Sequence, residues 1–454
     1  MNYKLSPKIT PFLLAFTMIF VHCEDNNDFI DVKAGVAAKE FALNENVQKE
    51  GRLGATAIVI QGGSTKLCIV SCDVIGIKKD HIDEVGRKIE NELYIPFDNI
   101  LVTSTHTHHG PSTDNPAFIE ILKDAIFMAV SEADQKLNSA EASEIYFWLG
   151  QEATVGQNSR LLLSDSTIYW YGRKSDAIRP TGSFDPELPV IAFMNNEKKP
   201  EGVLFNHSTH TIGARKRGVL SPAFYGLAAQ ELEDEYGGKF IFLLGAHGST
   251  HDFSLTTDEK IFRIREAVSE ALGKSQKRDM KKLISVKEEF EYKVREFDDE
   301  KEEEAIAYYC RTRLGNLSEE ERWADSDWDP DPVATLASFR KRREELEPHQ
   351  GETRKTWLQV MVIGDIAFVG VPGELFNDLG LDIKRRSPYR YTYIIALAND
   401  AIGYIPDRKG FGLGGYQLWS NWVSHLPEGT GEIMADRAVQ ILYETYDGHP
   451  LHYR

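Results

Sequence analysis

The sequence predicts a mixed α/β chain of the α+β kind, in which mixed β-sheets are flanked by helices. Short apolar, β-branched runs recur along it, and longer amphipathic stretches lie between many of them. Several runs show no polar alternation, as strands buried on both faces do. At 454 residues, with 42% hydrophobic and 27% charged residues, the chain is long enough to bury a large core.

Strands are expected at "ATAIVIQ", "KLCIVSC", "NILVTST", "VIAFMN", "GVLFN", "KFIFLLG", "WLQVMVIG", "IAFVGV" and "YTYIIALA". Helices are expected at "KKDHIDEVGRKIENEL", "AFIEILKDAIFMAVSEADQKL" and "YGLAAQELEDEY". Around 281–347 the character changes. "EEFEYKVREFDDEKEEEAIAYYC" and "ASFRKRREELEPHQ" are charge-dense and read as a helical insertion, with "ADSDWDPDP" between them. Solvated helices are the plain interpretation of that segment, and a lid over a site is the sharper one. Neither a repeat nor a low-complexity linker demands a second domain, so 32–454 is expected to form one catalytic domain.

The N-terminus carries Lys4 and Lys8, then "PFLLAFTMIFVHC", then the acidic "EDNND". This predicts a secretory signal over 1–23, with either lipidation at Cys23 or ordinary signal cleavage, and an exported, periplasmic or cell-surface protein. Cys68 and Cys72 share one extended run, where four residues span about 13 Å, too far for a bridge within the strand. A net charge of −18 argues against a general nucleic-acid binder, which needs a basic face. No protein partner is predicted.

The chemistry gathers after apolar runs. In "THTHHGP", His106 and His108 are two residues apart and on an extended strand would face one side, with His109 on the other. "NHSTHTIG" carries His207 and His210, and "GAHGSTHDF" carries His247 and His251. Three histidine-bearing turns after three expected strands suggest one shared metal or acid/base site.

These motifs, with "LSPAFYGLAAQELE", "VGVPGELF" and "LANDAIGYIPDRKGFGLGGYQ", resemble the catalytic domain of the neutral, non-lysosomal ceramidases in order and character. The resemblance implies a ceramidase-like fold and a zinc ion held by two histidines, a glutamate and a tyrosine. The positions that match are His106, His210 with its spacing to Ser221, Glu374 in "VPGELF" and Tyr404 in "AIGYIP". His108 would then face substrate. Without zinc, Glu374 would read as a carboxylate at a helix N-terminus and Tyr404 as strand-end packing.

One departure bears on activity. The family carries a serine in a "GDVSPN" turn, whereas the turn here reads "GSTHD", with His251 in the place of the serine. A histidine moves protons but supplies no alkoxide. This suggests the family's oligosaccharide dehydratase branch: zinc and a base would remove water from the non-reducing-end uronic acid of a carboxylated oligosaccharide, leaving a 4,5-unsaturated sugar. His251 would be the base and Tyr404 or His108 the acid. Arg160 in "GQNSRLLL", Arg215 and Arg217 in "GARKRG", and His109 would contact the anionic substrate. The alternative is a zinc amidohydrolase of the neutral ceramidase type, in which water replaces the serine. A zinc-bearing sugar binder without turnover has the least support, because binders have little use for so many clustered titratable groups.

Overall fold

Three mixed sheets share one central core, and helices cover their outer faces. The computed structural model describes residues 30–140, 142–170, 174, 176–252, 255–315 and 331–447. The signal-like segment, Cys23 and most of "ADSDWDPDP" lie outside the described residues.

In the first sheet, Val32–Glu40, Gly54–Gly62, Thr65–Cys72 and Ile100–Ser104 lie in that order, antiparallel until the last pair, which is parallel. The second runs Lys239–Leu244, Pro200–His207, Glu187–Met194, Glu144–Gln151 and Gln276–Arg278, with the first pair parallel and the others antiparallel. The third runs Leu283–Lys293, Thr353–Ile363, Ile366–Gly370 and Tyr391–Ile395, and again its last pair is parallel. Each of the nine expected strand runs contributes a strand to these sheets.

The lack of polar alternation in those runs has a direct cause. Along Thr353–Ile363, Leu358, Val360 and Val362 face one core while Met361 and Ile363 face another. Along Glu187–Met194, Leu188, Val190 and Ala192 separate from Ile191 and Phe193 in the same way. Both faces are apolar because both are buried. The central core draws Ile58 and Ile69 from the first sheet, Phe193 and Leu204 from the second, and Met361 and Phe368 from the third. Burial of each such side chain contributes about 1.5–3 kcal/mol relative to exposure. Outside, Lys79–Leu93 and Pro116–Ser139 cover the first sheet, while Ala223–Tyr236, Thr257–Lys274 and Thr430–Glu444 belong to the core on the outer faces of the other two.

The charged segment needs a correction. Its first part is not helical: Leu283–Lys293 is the edge strand of the third sheet, paired residue by residue with Thr353–Ile363. Glu289, Glu291 and Lys293 are exposed, while Phe290 is half-buried and Tyr292 buried, a period of two obscured by charge density. Charges on an edge strand also discourage pairing with other chains. The helices of the insertion are Asp299–Tyr309 and Pro332–Leu346, capped by the side chains of Asp298 and Asp331. Cys68, Cys72 and Cys310 are buried free thiols.

The ends of the strands are tied across the sheets by side chains. Ser71 Oγ donates to the Phe242 carbonyl at 2.7 Å and Thr103 Oγ1 to that of Ala396 at 2.8 Å. Asn206 Nδ2 donates to the Leu243 and Ile394 carbonyls at 2.7 and 2.8 Å. Each bond joins a buried side chain of one strand end to the main chain of a neighbouring one and holds the sheet ends in one register.

Lys287 is the exception on the edge strand, because its side chain turns inward. Its Nζ lies 3.2 Å from the Phe97 carbonyl and 4.2 Å from the centre of the Phe97 ring. Burial pushes the ammonium down to about 7, against the opposing pull of Asp83 and Asp98. The unfolded lysine keeps its proton to about pH 10.4, so between the two values the unfolded chain binds more protons and stability rises with pH. Lys287→Met is expected to stabilise the protein at pH 7 by about 1–2 kcal/mol and to flatten that rise. Urea denaturation at pH 7 and pH 9.5 measures both, and equal slopes in the two proteins would refute the assignment.

Candidate metal centre

The carboxyl ends of the parallel strands deliver the site. His106 follows Ile100–Ser104, His210 follows Pro200–His207, His247 follows Lys239–Leu244, and Glu374 follows Ile366–Gly370. Open sheets place ligands at such ends, where the chain leaves the hydrogen-bonded ladder. One potential donor atom from each of the four residues lies within 4.8 Å of the others, and all four residues are buried.

Backbone conformation does much of the aiming. The strand stops at Ser104, and His106 takes a left-handed φ of 60°, uncommon for a residue with a Cβ. The expectation that His106 and His108 share a strand face therefore fails, yet the turn still brings their Nε2 atoms to 3.2 Å. Gly248 permits the closest approach, since a Cβ there would come within 2.1 Å of the Glu374 carbonyl oxygen. Glu374 itself sits in register beside Tyr404 on a short parallel pair.

Hydrogen bonds fix the tautomers. His106 Nδ1 lies 2.6 Å from the Ile75 carbonyl, His210 Nδ1 2.9 Å from that of Thr250, and His247 Nδ1 3.1 Å from that of Gly245. A carbonyl only accepts, so each Nδ1 carries hydrogen and each neutral ring keeps its lone pair on Nε2. Those Nε2 atoms lie 3.6, 3.2 and 3.7 Å from Glu374 Oε2. His247 Nε2 and Glu374 Oε2 are buried without a hydrogen-bond partner. Three imidazole nitrogens and a buried carboxylate oxygen converging in this way are a donor set that fits a metal ion.

The electrostatics agree. Burial pushes His106 down to about 4 although Glu374 pulls it up, and burial also pushes His247 well down. Burial alone would raise the Glu374 carboxyl, but His106, His210 and the Tyr404 hydroxyl hold it below its ordinary value. His106 and His247 thus favour the neutral form and the Glu374 carboxyl the charged form, as metal ligands must.

Around the four donors, His108 is exposed at the opening. The His251 ring stacks on His210 at 5.4 Å, and its Nδ1 meets the Asp252 carboxylate at 3.0 Å. Lys260 completes that array, 2.7 Å from Asp252 and almost fully buried. Tyr404 interacts with Glu374 and with Tyr416, and Tyr416 stacks on Trp170 at 4.4 Å. Through Tyr309 and Phe339 the helices of the insertion join this aromatic cluster.

Three expected substrate contacts are otherwise engaged. Arg215 pairs with Asp258 at 2.6 Å and Glu231 at 2.8 Å, so its charge is already compensated. Arg160 is buried and donates to Gln417 and to the Gly410 and Gly414 carbonyls, fastening the 410–417 segment. His109 Nε2 accepts from the Gly213 amide at 3.1 Å and shapes a loop. Arg217 is exposed on the same loop as Arg215. His247, Asp252 and Lys260 were not among the expected site residues. For His247 the signal was the third histidine turn, whereas Lys260 lies on a helix of ordinary pattern.

No protein-family model and no curated protein matches the chain. Solved structures do. Neutral ceramidase from Pseudomonas aeruginosa superposes with a TM-score of 0.66 at 16% identity, over 92% of this chain and 75% of that one. A ceramidase complexed with C2 gives 0.68 at 15% identity, over 91% and 75%. The fold is that of neutral ceramidase. The ceramidase-fold neighbours overturn the oligosaccharide dehydratase expectation, and Arg215 and Arg160, two of its four expected anion contacts, are engaged by other groups. What stands is a buried, metal-binding type of donor set in a ceramidase fold.

Gly248→Ala is expected to push the His247 turn away from Glu374, lowering stability by about 1–3 kcal/mol and leaving the protein substoichiometric in metal after dialysis. Thermal unfolding and elemental analysis read the two effects. Unchanged metal content would refute this packing.

Proposed function

We propose that this protein is a zinc-dependent amidohydrolase of the neutral ceramidase type, cleaving an N-acyl amide. The observation that carries the proposal is the pre-aimed set of imidazole Nε2 atoms around Glu374 in a ceramidase fold. Imidazole nitrogen and carboxylate oxygen suit zinc. When bound, zinc would supply Lewis acidity to an amide carbonyl.

The chain's own residues determine the rest. Neither hydroxyl of the "GSTHD" turn replaces the family serine: Thr250 Oγ1 donates to the Ser208 carbonyl at 2.7 Å, and Ser249 Oγ accepts from the Asn377 amide at 3.0 Å. Water is therefore the nucleophile. His251, oriented through Nδ1 by Asp252, would take a proton from that water at Nε2 and return one to the departing amine. His108, exposed beside His106, would contact the substrate as it enters. Tyr416, half-buried at the edge of the aromatic cluster, packs beside Tyr404 at 5.9 Å and would meet the acyl part. Localisation at the cell surface through Cys23 belongs to the same proposal.

Incubation of the zinc-loaded protein with N-acyl amides of short and long chain, followed by mass analysis, is expected to release free fatty acid. A chelator should abolish release and added zinc restore it. Glu374→Gln should lower both zinc content and turnover by at least about tenfold. Release that survives complete metal removal, or no release from any N-acyl amide, would overturn the proposal.

A further inference from the structure

We propose that His247 binds the metal as a third imidazole ligand, so that the centre is built from His106, His210, His247 and Glu374 rather than from the two histidines, glutamate and tyrosine that the family resemblance implies. The inference rests on the metal-dependent reading above, but not on the substrate assigned there.

Geometry supports it first. Ligands at about 2.0–2.2 Å in a tetrahedron lie about 3.3–3.6 Å from one another. The Nε2 atoms of His106, His210 and His247 lie 3.6, 3.2 and 3.7 Å from Glu374 Oε2, so all three match that edge within a few tenths of an ångström. The ring centres of His247 lie 4.8 Å from those of both His106 and His210, so the three imidazoles surround one point.

Satisfaction of buried polar atoms supports it second. His247 is fully buried, its Nδ1 is committed to the Gly245 carbonyl, and its Nε2 has no hydrogen-bond partner. A packing histidine buried in this way normally finds partners for both nitrogens. His207 is the internal comparison: equally buried on the neighbouring strand, it engages the Tyr225 hydroxyl at 2.5 Å and the Glu152 carbonyl at 2.9 Å. His207 is a satisfied core residue; buried His425 also leaves its Nε2 without a partner, but His247 combines that with a place in the converging donor set.

Local construction supports it third. Gly248, immediately after His247, brings the turn against the Glu374 backbone more closely than any residue with a Cβ would allow. Tyr404, by contrast, directs its hydroxyl to the Glu374 carboxylate and to Tyr416. A neutral imidazole in place of an anionic phenolate changes the charge of the centre. With Glu374 as the one anionic ligand, a bound divalent ion would keep more positive charge than with a phenolate beside it and would supply stronger Lewis acidity.

The decisive measurement is X-ray absorption on the wild-type protein loaded with zinc, which counts imidazoles from their multiple scattering and needs no substrate. Three imidazoles are expected; two would overturn the proposal. His247→Gly should bind zinc at least about tenfold more weakly, and added imidazole should restore binding in that variant. Zinc affinity unchanged in a folded His247→Gly protein would also overturn it. A wild-type protein that binds no divalent ion would sink the metal-dependent reading together with this one. Zinc bound by three imidazoles without any amidase activity would leave the ligand assignment standing and remove only the substrate.

Discussion

A buried imidazole N–H must have an acceptor, and at this centre the main chain provides one for each ring. The carbonyls of Ile75, Thr250 and Gly245 hold the Nδ1 hydrogens of His106, His210 and His247. That requirement fixes the tautomers, turns the lone pairs inward and defines where a cation can sit. Because the acceptors lie on two separate connections, Ile75 after Thr65–Cys72 and Gly245 and Thr250 on the turn after Lys239–Leu244, the donors keep their places only while the sheet ends stay in contact. Ser71, Thr103 and Asn206 maintain that contact.

The central core and the centre therefore constrain each other. Strands buried on both faces cannot slide, since a shift of one residue would exchange the contents of two apolar cores. The polar side chains at their ends are buried as well, and each would be costly unsatisfied. His106 holds a left-handed backbone within this frame, a strain that a loosely supported turn would release. Rigidity in the sheets is thus what allows an unfavourable conformation at a ligand.

Much of this was legible in the sequence, for reasons that can be given residue by residue. Apolar runs without alternation identified the strands, because burial on both faces leaves no polar position. His106, His210 and Glu374 were singled out by the resemblance to the neutral ceramidases, whereas the three histidine-bearing turns by themselves pointed only to a shared metal or acid/base site. The edge strand Leu283–Lys293 was hidden by its charges, which obscure period two. Arg160 and Arg215 read as anion contacts because a sequence shows a charge but not the carbonyl oxygens that engage Arg160 or the carboxylates that offset Arg215. His247 was visible as a histidine but not separable from His207, since only the unsatisfied nitrogen distinguishes them.

The four donors are drawn from positions 106, 210, 247 and 374, and their alignment depends on all three sheets. No early portion of the chain contains a partial centre worth occupying, because two imidazoles without Glu374 and the third turn lack both charge and enclosure. Contacts so distant in sequence close late in folding, after local helices and hairpins have formed. A metal ion taken up by these donors would consequently arrive last in the life of the new chain: it would meet a finished cavity, and a nascent or half-folded molecule would have little hold on it.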